Sequence, residues 1–212
     1  MSRVLIIVPG AKQPHFNISF IKRVFKKILD FLSSPLGMFF SDYKKFKDYI
    51  RKDYEKVFII KWGGDVFNIK KIEKGIEKIR KILEENKDKE IHILAFSFGG
   101  FLTEKALFNK NYQNIKKIIF SGAIHSPFIN FNSFNAVYNV YSNLDNIYNL
   151  FNQLIHLDIH NFKLKKEYKI KNKKVKNIKL ENLRHDELSK NVFLRNKSLY
   201  EFYRDLLLKD NI

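Results

Sequence analysis

The chain has no cysteine. That removes disulfides, thiolate nucleophiles and cysteine-ligated zinc or iron–sulfur centres, while leaving the redox compartment open. It also lacks any run of the ~18 apolar residues that a membrane span requires. The apolar stretch Val4 to Val8 near the N-terminus is too short for a secretion signal and has no small-residue cleavage site after it. A cytoplasmic, soluble protein without a transmembrane segment is the expectation. No internal repeat or low-complexity linker divides the 212 residues, and a hydrophobic fraction of 45% excludes disorder, so a single domain over 1–212 is expected. Acidic residues are few, 22 against 40 lysines and arginines, which leaves a formal net charge of +18. Such an excess suits an anionic membrane surface, nucleic acid or an acidic substrate. Nucleic acid has the least support, since no zinc finger, RNA-binding aromatic signature or Gly-x-x-Gly loop accompanies the charge. Lys, Asn, Ile, Phe and Tyr are abundant together and share A/T-rich codons, so codon bias is the first reading of the charge and an anionic membrane surface the second.

What is present is an alternation of short β-branched or aromatic runs with amphipathic stretches. The runs Val4–Val8, Lys56–Ile60, Ile91–Phe96, Ile115–Ser121, Ala136–Tyr141 and Val175–Leu180 are bounded by turn residues and read as strands. Asn17 is placed to cap a helix with Ile21, Val24, Phe25, Ile28 and Leu32 on one face. Tyr43–Lys52 reads as a second helix, Ile69–Asn86 as a third with the stripe Ile72, Ile76, Ile79 and Leu83, and Ser198–Leu208 as the last. Lys163–Lys179 has the pattern of a hairpin turning near Asn172, and Leu36–Phe40 is either core packing or a flap beside a cleft. Strand–helix alternation predicts an α/β fold with a mostly parallel six-stranded sheet covered on both faces.

The third run ends in Ala95-Phe96-Ser97-Phe98-Gly99-Gly100 and continues into a helical composition. A serine at a strand-to-helix corner, with small residues two before and two after, fits a strained turn that holds the hydroxyl out above the sheet. Ser97 is therefore the candidate nucleophile; the alternative is a plain helix N-cap in a noncatalytic protein. A serine needs a base, and the base needs a carboxylate, in loops at the carboxyl ends of the strands. His92 lies inside a strand, His15 sits in the first loop, and His125 has no carboxylate nearby in sequence. His156-Leu-Asp158-Ile-His160 matches no trusted zinc spacing, and neither a metal nor a cofactor is expected. His185, just beyond the sixth run, suits a general base. Asp145, after the fifth, suits the acid better than Asp65, on the far side of the sheet, or Asp186, adjacent to the histidine. An oxyanion hole needs two backbone N–H groups. Phe98 at the head of its helix supplies one, and Ala11, with Lys12 as alternative, supplies the other from the loop after the first strand.

In this order, Ser97, Asp145 and His185 resemble the α/β-hydrolase superfamily, and the resemblance runs from Val4 to the C-terminal helix. Ala95-Phe96-Ser97-Phe98-Gly99 is similar to the G-x-S-x-G elbow, with Ala95 in place of the first glycine. Val8-Pro9-Gly10 resembles the loop carrying the first oxyanion donor, with proline where histidine is usual, and Trp62-Gly63-Gly64-Asp65 resembles a stretch of lipase-like members. The family's first two strands are absent, and the connection after the fourth run is too short for a lid domain. The resemblance thus implies a compact, lidless serine hydrolase with strand order 2-1-3-4-5-6, cleaving carboxylic esters of small molecules or lipids through an acyl-enzyme. Gly10, Lys12, Phe128 and Phe131 are the candidate substrate contacts, with Met38 and Phe39 near the mouth and Phe96 and Phe98 beside the serine. A thioesterase or acyltransferase using the same residues, and a noncatalytic basic module on a lipid surface, are the alternatives.

Overall fold

A computed structural model of the chain describes residues 2–11, 39–66, 68–125, 134, 136–145, 169–170 and 172–209. Six strands form one sheet: β1 (Arg3–Val8), β2 (Lys56–Ile59), β3 (Glu90–Phe96), β4 (Ile115–Ser121), β5 (Ala136–Ser142) and β6 (Val175–Leu180). Their spatial order is β2-β1-β3-β4-β5-β6, and every pair is parallel. Among the described residues the α-helices are α1 (Phe39–Ile50), α2 (Ile69–Glu85), α3 (Phe98–Leu107) and α4 (Leu199–Leu208).

The central strands read as near-continuous apolar runs because both of their faces are buried. Alternate residues serve opposite layers. Val4, Ile6, Val8, Ile93 and Ala95 pack with Ile79 and Leu83 of α2 and with Phe98, Leu102 and Ala106 of α3. Leu5, Ile7, Leu94 and Phe96 pack with Tyr43, Phe46 and Ile50 of α1 and with Leu199, Tyr203 and Leu206 of α4. The result is a three-layer α/β/α fold, as the alternation of strand and helix patterns predicts.

Local chemistry sets the helix ends. The Asn68 side chain accepts from Lys71 N at 3.1 Å and caps α2. Ser198 and Glu201 form a reciprocal capping box that starts α4. Arg204 of α4 makes a two-pronged ion pair with Asp53, at 2.7 and 2.8 Å, just before β2. Helix α1 differs from the sequence reading, which places a second helix over Tyr43–Lys52. It starts at Phe39 rather than Tyr43 and tightens into a 3-10 turn over Arg51–Asp53. Phe39 and Phe40 thus belong to a helical turn, not to a loop; Leu36, Gly37 and Met38 lie outside the described residues, as do the Asn17-capped helix and the first arm of the hairpin expected over Lys163–Lys179.

At the amino end of the sheet sits a buried polar group. His92 of β3 is 1% exposed, its Nδ1 lies 2.6 Å from the Tyr54 hydroxyl, and Glu90 Oε1 is 2.9 Å from Nε2. Beside it, Lys117 of β4, opposite His92 in register, donates to the Lys209 carbonyl at 2.7 Å, at the carboxyl end of α4, where a cation is favoured. Burial pushes His92 down to about 4, against the opposing pull of the Glu90 charge. Its ordinary value is 6.5, so between these limits the unfolded chain binds the extra proton and folding weakens as the pH falls. Urea denaturation from pH 7 to pH 4 is expected to show a loss of roughly 1–3 kcal/mol from this residue. His92→Asn, which keeps an acceptor for Tyr54 but cannot titrate, should flatten that part of the curve; an unchanged slope would locate the acid sensitivity elsewhere.

Candidate active site

Ser97 occupies the corner between β3 and α3 with φ 47° and ψ −127°. A non-glycine residue at such angles is strained by about 1–3 kcal/mol. The conformation also separates two readings of this serine. A helix cap uses its side-chain oxygen to accept from the first turn, and Ser97 makes no such bond. Its Oγ instead lies 2.9 Å from His185 Nε2. His185 Nδ1 in turn lies 2.9 and 2.8 Å from the two carboxylate oxygens of Asp145. Asp145 is fully buried and His185 nearly so. The three residues singled out in the sequence thus form one hydrogen-bonded row.

Parallel register explains the proximity of the first loop. Val8 is level with Ala95, so Gly10, two residues on, is level with Ser97. A methyl group on Gly10 would stand 2.7 Å from Ser97 Cβ. On the other flank, a methyl on Gly99 would run into the Val8 carbonyl and stand 2.9 Å from the Pro9 oxygen. Ala11 follows, half-buried against the core formed with α2 and α3. Phe98 is the first residue of α3, and N–H groups of a first helical turn have no intrahelical partner. The Ser97 carbonyl is held by Gly100 N and Ile124 N, both at 2.9 Å. Because β1 leads to β2 on one side and β3 leads to β4 on the other, this cleft stands at the topological switch point of the sheet.

His185 comes from the loop beyond β6 and reaches Ser97 by passing over the end of β4. Gly122 makes that passage possible. It has φ 49°, and a methyl there would meet Leu188 Cδ1 at 2.7 Å, Asp145 Oδ2 at 2.8 Å and His185 Nδ1 at 3.4 Å. The loop is held by hydroxyls. Tyr203 donates to the Leu188 carbonyl at 2.7 Å and contacts the Ser121 hydroxyl. Ser142 Oγ accepts from Leu144 N at 3.3 Å and from Leu183 N at 3.2 Å, tying the Asp145 turn to the His185 loop. None of these four residues, Gly122, Ser121, Ser142 and Tyr203, stands out in the sequence. The one available signal was a glycine directly after the fourth strand.

Burial disfavours the charged imidazole of His185, but the charge and hydrogen bond of Asp145, with Asp186 adding to them, outweigh it and raise His185 above its ordinary 6.5. Asp186 itself pairs with Lys190. Asp65 pairs with Lys71 at 3.3 Å, in the loop after the β2 edge strand. His125 is buried, its ring 5.8 Å from that of Phe120. Phe96 and Phe98, on either side of Ser97, are both 3% exposed. Phe96, the last residue of β3, packs on Tyr43 and Tyr203, while Phe98, beyond the Ser97 corner and at the head of α3, stacks on Trp62. Lys12, Phe128 and Phe131 lie outside the described residues, together with His15, His156, Asp158 and His160. Among the described residues no three His, Asp or Glu side chains converge as a metal site, and no helix is long and apolar enough to cross a membrane.

The sequence matches no family model and no curated protein. Among solved structures, an uncharacterised protein from Bacillus cereus ATCC 10987 is similar with a TM-score of 0.48 and 15% identity. The match takes in 96% of this chain but 57% of that one, so this chain spans little more than half its length.

Replacing Gly122 by alanine is expected to lower stability by about 1–3 kcal/mol in urea denaturation, because the positive φ and the contact with Asp145 act together. The low-field proton resonance of His185 Nδ1–H should shift in the same variant. A melt and spectrum identical to those of the native protein would show that the loop crosses β4 with room to spare.

Proposed function

We propose that this chain is a serine hydrolase of the α/β-hydrolase type that cleaves carboxylic esters. The observation that carries the reading is the Ser97 corner, where a strained backbone turns the hydroxyl away from the helix it begins and toward a histidine backed by a buried carboxylate. A structural serine gains nothing from that strain. A nucleophile gains a base within reach.

On this reading Ser97 Oγ attacks the acyl carbonyl carbon, and its proton passes to His185 Nε2. Asp145 stays ionised, keeps the other ring proton on Nδ1 and stabilises the imidazolium. The Ala11 and Phe98 N–H groups hold the oxygen that becomes negative. Collapse of the tetrahedral species breaks the bond to the alcohol, which leaves with the proton from His185. Water then attacks the acyl-enzyme with His185 again as base, and Ser97 regains its proton as the acid departs. We take the aromatic sequence between β4 and β5, with Phe128 and Phe131, as pointing to an apolar acyl group.

A fluorophosphonate probe is expected to label the native protein at Ser97 and to leave Ser97→Ala unlabelled; a folded native protein that resists the probe overturns the hydrolase reading. A chain-length panel of acyl esters and thioesters, with the same variant as blank, then reads the substrate class. The direction of the His185 shift sets the pH dependence. The base must be neutral, so the acid limb of kcat/KM is expected above pH 6.5, and Asp145→Asn should lower kcat by about 10³-fold or more. A limb below pH 6 would contradict the ion pair.

A further inference from the structure

We infer that Trp62 is a positioning residue for the oxyanion donors, holding in register the two chain segments that supply them. The inference rests on the hydrolase reading above and deepens it.

Trp62 lies after β2, outside the row of Ser97, His185 and Asp145, and is 3% exposed. Its indole N–H donates to the Pro9 carbonyl at 3.0 Å. Its ring stacks on that of Phe98, with centroids 5.3 Å apart and planes inclined by 23°. Pro9 precedes Gly10 and Ala11; Phe98 follows Ser97. One side chain therefore touches both walls of the space in which negative charge would develop. The first contact has a directional effect. A peptide unit is rigid and planar, so turning the Pro9 oxygen toward the indole turns the Gly10 N–H the other way and fixes how the chain enters Ala11. That same oxygen is confined from behind, being 2.9 Å from where a Gly99 methyl would stand.

The fold makes special room for the indole. Gly75 sits buried in the middle of α2, where glycine is less favourable than alanine by about 1 kcal/mol. A methyl there would stand 2.8 Å from Trp62 Cβ and 3.3 Å from Leu102 Cδ1. Gly63 and Gly64, with φ of 97° and 75°, then swing the chain away. Packing alone would be met by a smaller apolar residue over an alanine. What such a residue lacks is a donor aimed at Pro9.

Trp62 is the only tryptophan in the chain, so analogue incorporation changes this residue alone. Benzothienylalanine keeps the bicyclic ring and removes the N–H; Trp62→Phe is the genetic counterpart. In each, kcat for ester hydrolysis should fall about 10- to 100-fold with KM within about twofold, the cost of displaced donors. Affinity for a trifluoromethyl ketone, which forms a tetrahedral oxyanion on the serine, should fall by the same factor, with the thermal midpoint close to native for the analogue. Tryptophan emission of the native protein should also change on fluorophosphonate labelling. A folded analogue protein with native kcat and native ketone affinity overturns the inference while leaving the hydrolase reading in place. Lack of any labelling of the native protein removes that reading, and the role of Trp62 with it.

Discussion

The conformation of Ser97 is the constraint on which the surrounding structure depends. A left-handed φ at a residue with a side chain is held only if its neighbours leave no better alternative. Here the Ser97 carbonyl is bound by two N–H groups, from α3 and from the loop after β4, so the peptide cannot relax by rotation. The residues beside it must be small. Gly99 lets the helix start against the Val8 carbonyl, and Gly10 lets the first loop close over the serine. The parallel sheet makes these demands simultaneous, because equal register in β1 and β3 brings the two corners level with one another.

From that corner outward, the site is built from segments far apart in the chain, joined by hydroxyl groups as well as by the apolar packing of Leu183 and Leu188. Ser142 bridges the acid turn and the base loop, and Tyr203 fastens the far end of that loop to the top of β4. Hydroxyls suit this task because each accepts and donates over short range, in a region where loop backbone is buried and must find partners. Removing such a group strands a backbone polar atom, which costs more than the bond itself contributes.

Much of this was legible in the sequence, for identifiable reasons. Strand and helix patterns are local and periodic, and their alternation signals a parallel sheet with helices on both faces, while the order of the strands was implied only by the resemblance. Ser97 follows directly on β3, and Asp145 and His185 lie in the short segments after β5 and β6, so their positions at one end of the sheet came with the topology. Illegible were contacts that depend on how loops cross. Gly122 under the His185 loop, Ser142 between two turns and the pairing of Trp62 with Pro9 have no local signature, since each partner lies tens of residues away. The start of the first helix at Phe39 was obscured by the absence of a capping residue ahead of it.

The two buried histidines of β3 and the His185 loop stand at opposite ends of the same sheet and are driven in opposite directions, one by desolvation and the other by a carboxylate. Mild acidification therefore protonates His185 while His92 stays neutral. On the proposed reading the protein falls silent before His92 takes up its proton. A sample taken to that intermediate acidity and returned to neutrality recovers without having to refold.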